Sequence, residues 1–142
     1  QYIIEELSEH PLRNVSSEEV LRSIIDELEP WYRNCARDDH QNALAIRLAD
    51  AYYRLAKTVK TSTGGSAFWD HAETAQEYAE EGLPWYGAKS LLAKTHRIQS
   101  RTHERRNELR EAKQHLDRIR ALEDRYDVAL LNDTDRNRLA DL

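Results

Sequence analysis

Apolar side chains recur every three or four positions through most of this chain, and little interrupts them. Val20, Leu21, Ile24, Ile25 and Leu28 form one such run, Leu44, Leu48, Ala51, Tyr52 and Leu55 a second, and Phe68, Trp69, Ala72, Ala75 and Ala79 a third. A repeat near 3.6 residues places one apolar stripe on each helix, whereas a half-buried strand would need strict alternation. Only four Gly and three Pro punctuate the 142 residues, and β-branched side chains are sparse among Ala, Leu, Glu, Arg and Gln. Helix propensity summed over most windows is therefore high. The chain is expected to be all-α, without a sheet, and to form a single domain over 1–142 that buries roughly two-thirds of its unfolded surface.

Start and stop signals divide the pattern. Tyr2, Ile3, Ile4 and Leu7 suit a short helix that ends before Pro11, because the prolyl ring disfavours helix at His10. Ser16-x-x-Glu19 reads as a capping box for the next helix, and Pro30 is expected to kink or end it. Asp38-Asp39 opens a helix running to about Val59. Thr61 to Ser66 is a flexible loop by composition, and a helix then runs from about Ser66 to Glu81, with Gly82 as its stop and Pro84 beyond. Leu91, Leu92, Thr95 and Ile98 mark one further stripe; Leu109, Ala112, Leu116, Ile119, Leu122 and Tyr126 mark another.

No large apolar residue, Gly or Pro lies between Ile98 and Leu109, and a turn is placed near Ser100-Arg101-Thr102. The alternative is a helical bundle containing one long coiled-coil helix, since a seven-residue register through Leu91, Ile98, Arg105, Ala112, Ile119 and Tyr126 never breaks. The hairpin is preferred because a helix over 88–127 would be several times the globular mean of about 11–12 residues. Asp133-Thr134 is expected to cap a short terminal helix through Leu142.

Leu48-Ala49-x-x-Tyr52-Tyr53, followed by Ala72, Ala79 and Pro84, resembles one tetratricopeptide (TPR) repeat, and Leu92-Ala93 and Ala112 echo it more weakly. The likeness covers about 42–126. Ala45 stands where the family has its first-helix Trp, and Gln76 where its second helix has an aromatic. The resemblance implies antiparallel hairpins at about 42–84 and 86–126, stacked as a short TPR-like array, because such a hairpin cannot bury its apolar face alone. Small residues at Ala49, Ala72 and Ala79 would allow close helix approach, with Tyr52 filling the space between. Arg47, Asp50, Tyr53, Arg54, Lys94 and Arg97 would then line a concave groove. Four cations with one acid suit an extended protein partner bearing carboxylates. The implied function is a non-enzymatic interaction module or scaffold that holds a peptide or helix of another protein.

The net charge of −5 is unevenly spread: Lys94 to Arg125 carries +4 and the remainder −9. Interleaved acids such as Glu104 beside Arg101 and Asp117 beside Lys113 make the basic part a solvated helix surface, and nucleic acid is not the expected partner. No apolar run approaches the roughly 20 residues of a membrane span, and no leader pattern opens the sequence. A lone Cys35 suits a reducing compartment, so the cytoplasm is expected, and the absence of Met fits a segment of a longer chain.

Chemical motifs are few. Of the six histidines only His96 and His103 share a helical face, two turns apart, and no metal site or cofactor is expected. These histidines are expected at the surface or at helix ends. Arg110-x-x-x-x-His115 has the spacing seen in HEPN-type ribonucleases, which would make Arg110 a phosphate anchor and His115 a proton-transfer group.

Overall fold

The computed structural model of the protein describes residues 17–35, 38–59, 65–83 and 86–142. Expectations for a helix before Pro11, for a cap at Ser16 and for the loop at 61–64 lie outside these residues, as does Pro84. Six helices occur among the described residues: α1 (Glu18–Asn34), α2 (Asp38–Val59), α3 (Ser66–Glu81), α4 (Tyr86–Arg105), α5 (Leu109–Tyr126) and α6 (Asp133–Asp141). The fold is all-α, and consecutive helices pack as antiparallel hairpins.

α1 begins at an extended Ser17 that makes no side-chain cap, so Glu18 and Glu19 in its first turn carry the favourable interaction with the helix dipole. Its buried stripe is Leu21, Ile24, Ile25 and Leu28, each contributing on the order of 1.5–3 kcal/mol by burial. Pro30 does not end it. The helix continues to Asn34, because Pro30 lies on the exposed side with Asp26 and Glu27, where a carbonyl without its helical donor can meet water. Asn34 Nδ2 also donates to the Pro30 carbonyl at 2.8 Å.

α2 is the central helix and is buried on several sides, through Leu44, Ala45, Leu48, Ala49, Ala51, Leu55 and Ala56. Its alanines admit close neighbours. Ala49 packs with Ala79, Leu91, Leu92 and Leu122; Ala56 packs with Phe68, Ala72 and Ile98. Progress from Ala49 to Ala56 thus matches progress from Leu91 to Ile98, so α2 and α4 run parallel. α6 continues the series, since Arg97 meets Asp135 and Glu104 meets Arg138 further along both helices. Alternate helices therefore form two layers, α2, α4 and α6 in one and α1, α3 and α5 in the other.

α4 extends to Arg105, and the turn lies at Arg106 to Glu108 rather than near Ser100. Polar residues in the last turns of α4 are buried without breaking it. Thr95 and Thr102 return their hydroxyls to the carbonyls of Leu91 and Ile98, and Ser100 Oγ crosses to the Ala112 carbonyl at 2.7 Å. Asn107 then takes φ 63°, a left-handed conformation that Asn tolerates, and reverses the chain. This break overturns the single long helix. His96 meets His115, and Lys89 Nζ lies over the Tyr126 ring at 4.7 Å, as an antiparallel α4–α5 hairpin requires. Glu104 and Asp117 pair with Arg138 and Arg120.

α6 is capped one residue earlier than expected, by Asn132: its Oδ1 accepts from Asp135 N at 2.7 Å, and Asp135 Oδ2 accepts from Asn132 N at 3.2 Å.

Candidate functional site

Two regions gather polar side chains, one in each layer. The first is the α2–α4 face. Arg54 Nε bridges Asp50 at 3.1 Å, one turn apart on α2. Arg47, one turn before Asp50, has a buried Nε with no hydrogen-bond partner in the protein. Tyr53 leans towards α4: burial raises its hydroxyl pKa, while the Arg97 charge opposes the rise, and Lys57 Nζ sits 5.4 Å from its ring centre. Lys94 is exposed.

Arg97 is differently engaged. Its guanidinium meets Asp135 Oδ2 at 2.7 Å and donates to the Leu130 carbonyl at 2.9 Å, with Asp135 fully buried. The structure thus brings Arg47, Asp50, Tyr53 and Arg54 together on α2, leaves Lys94 open on α4, and gives Arg97 to the attachment of α6.

The second region is a cleft of about 440 Å³ in the outer layer, between α3 and α5 and floored by α4. Trp69, Glu73, Gln76 and Glu77 come from α3, Gln99 and His103 from α4, and His115 and Arg118 from α5. The helical spacing of each set puts it on one face: 69, 73 and 76 on α3, 99 and 103 on α4, 115 and 118 on α5. Behind the cleft His96 is 2% exposed, and its Nδ1 lies 2.9 Å from His115 Nδ1. One ring must donate its Nδ1 proton and the other accept.

Burial first, with the Arg118 charge and, for His115, the neighbouring His96 adding to it, pushes the His96 pKa down to about 4 and that of His115 to about 3. Both rings are neutral at pH 7. His103 stacks between His115 and Trp69, at ring-centre distances of 5.3 and 4.5 Å. Its Nδ1 lies 2.9 Å from Glu108 Oε1, a contact that lowers the Glu108 pKa. The expectation of surface or helix-end histidines holds for His103, in the last turn of α4, and fails for buried His96 and mid-helix His115, because the hairpin register, which a linear reading does not contain, brings 96 and 103 to 115. Trp69 Nε1 and Gln99 Oε1 are buried without a hydrogen-bond partner in the protein.

Arg110 does not join this cleft. It is exposed in the first turn of α5, and five residues on a helix place it about 140° around the axis from His115. Among the described residues no group of three or more His, Cys, Asp or Glu side chains is arranged to hold a metal ion, and no helix is long and apolar enough to cross a membrane. No family model, curated protein or solved structure matches the chain.

Proposed function

We propose that the protein is a non-enzymatic interaction module, a divergent TPR-like array whose α2–α4 face holds a carboxylate-bearing segment of another protein. The observation that supports this reading is the parallel run of α2 and α4, with Arg47, Asp50, Tyr53 and Arg54 on the first helix and the open Lys94 on the second. The buried, unpartnered Arg47 Nε adds a donor that an incoming carboxylate could satisfy. Tyr53 offers a rigid half-buried ring between the cations, a residue type favoured at interfaces. A reducing, cytoplasmic setting suits the single Cys35.

Binding to a protein captured by pull-down with the whole chain, measured by titration calorimetry, should weaken with salt and on Arg47→Glu or Lys94→Glu. Equal affinity in parent and both variants removes the face from consideration. Incubation with mixed RNA separates this reading from the ribonuclease one: cleavage that disappears in both Arg110→Ala and His115→Ala would establish the enzyme instead.

A further inference from the structure

The outer cleft is separate from the α2–α4 face, and its polar inventory is incomplete without a ligand. Gln99 is 3% exposed and presents an unpartnered acceptor, Oε1, while Trp69 presents a buried, unpartnered donor, Nε1. Leaving such groups unmet costs free energy that a matching ligand recovers. A ligand must therefore bring both a donor and an acceptor.

Charge narrows the class. Glu73 and Glu77 stand on the α3 side against the single Arg118 of α5, and His115 is neutral. The lining is therefore acidic by one charge, which disfavours polyanions such as RNA and favours a cation. His103 also lines the cleft, with its Nδ1 held 2.9 Å from Glu108 Oε1. Trp69, His103 and His115 stack on one another and Arg106 lies over the Trp69 ring, so the ring stack bounds the cleft while the Gln99 oxygen and the Glu73 and Glu77 carboxylates supply acceptors for a cation with diverging donors.

We propose that this cleft binds a guanidinium-bearing ligand that also carries an acceptor oxygen, the chemistry of arginine, either as the free amino acid or as a residue in a peptide. The guanidinium donates to Gln99 Oε1 and the Glu73 or Glu77 carboxylate. The oxygen accepts from Trp69 Nε1 and Arg118. About 440 Å³ accommodates a group of this size.

Nuclear magnetic resonance titration of the whole chain tests the assignment, following the Trp69 indole N–H, identified with Trp69→Phe, and the imidazole signals of His103 and His115. The probes are free arginine, an arginine-containing tripeptide, agmatine, inorganic phosphate and a short RNA. Arginine or the tripeptide should shift these signals, and the tighter of the two identifies the source. Agmatine, which lacks the oxygen, should bind about tenfold more weakly. Gln99→Leu and Glu73→Gln should each weaken binding by about tenfold or more, and exposed Glu73 can be changed without touching the core. No shift with millimolar arginine or tripeptide, unchanged affinity in both variants, or preferential shifts with phosphate or RNA would each overturn the proposal.

Discussion

Tyr52 and Tyr78 stack with ring centres 5.8 Å apart, and both donate their hydroxyl hydrogens to the same oxygen of Glu29, at 2.9 and 3.0 Å. One carboxylate thus joins α1, α2 and α3. Tyr32 adds an edge-on contact to Tyr78 at 5.2 Å, so the junction combines apolar ring burial with two charge-assisted hydrogen bonds.

Removing the shared acceptor should cost more than removing either donor. Glu29→Ala is expected to lose about 2–3 kcal/mol and Tyr78→Phe about 1 kcal/mol in urea unfolding. Burial first, then the bond to Glu29, raises both phenol pKa values. A phenol pKa higher in the folded than in the unfolded chain gives stability that is complete below about pH 10 and is lost as pH rises beyond it. Tyrosinate absorbance should accordingly appear late and together with unfolding, and earlier in Glu29→Gln.

Gly82 is required for space rather than for backbone conformation. Its φ of −82° suits any residue, but an added Cβ would lie 2.9 Å from Ile46 Cγ1 and 3.0 Å from Ala88 Cβ. Gly82→Ala should destabilise by about 1–3 kcal/mol through overpacking, and Ile46→Ala in the same chain should relieve part of that cost in a double-mutant cycle. Ala72, fully buried beside Phe68, Ala56 and Ile98, obeys the same rule. Ala72→Leu should lower stability by a similar amount, about 1–3 kcal/mol.

Helix periods and most boundaries were legible because they depend on local chemistry. The apolar stripe from Leu21 to Leu28 and the span Ser66–Glu81 follow from spacing and from Gly82 alone. The α4–α5 turn falls later than the sequence places it because neither the gap between Ile98 and Leu109 nor the repeat echo at Leu92-Ala93 and Ala112 fixes its position, and the Ser100 and Thr102 hydroxyls are satisfied within the hairpin by the Ala112 and Ile98 carbonyls. Of the two outcomes open for Pro30, an end is excluded because the helix runs on to Asn34 with Pro30 on its water-facing side, which spacing alone does not identify. The cleft was hidden for a third reason. Its polar positions 96, 99 and 103 form a readable stripe, but Trp69 and His115 reach it only through hairpin register.

Arg97 and Asp135 should behave as a structural pair, unlike Arg54 and Asp50. Asp135 is fully buried and also caps α6, so Asp135→Ala leaves a guanidinium poorly compensated and should cost about 3–5 kcal/mol. The partly exposed Arg54–Asp50 bridge should contribute less than about 1 kcal/mol. Hydrogen exchange should show α6 amides losing protection in Asp135→Ala while α2 is unchanged. Charge reversal at Arg97 therefore reports on the attachment of α6 before it reports on partner binding.

Acid should open the α4–α5 hairpin through His96 and His115. The folded values of about 4 and about 3, set mainly by burial, lie below the ordinary value near 6.5 expected in the unfolded chain. Between these limits the unfolded chain binds more protons, so stability is complete above about pH 6.5 and declines as pH falls towards 4 and then 3. The slope can reach about 1.4 kcal/mol per pH unit for each histidine. A doubly charged pair would also place two imidazolium rings at a 2.9 Å nitrogen separation, beside the Arg118 charge. Urea unfolding at stepped pH checks this, with His115→Asn as comparison because it keeps a hydrogen-bonding group but cannot titrate. Carboxylates titrate in the lower part of the same range, so the difference between parent and variant carries the result. That difference should correspond to about one proton near pH 5, and parallel curves would show that the pair is not linked to folding.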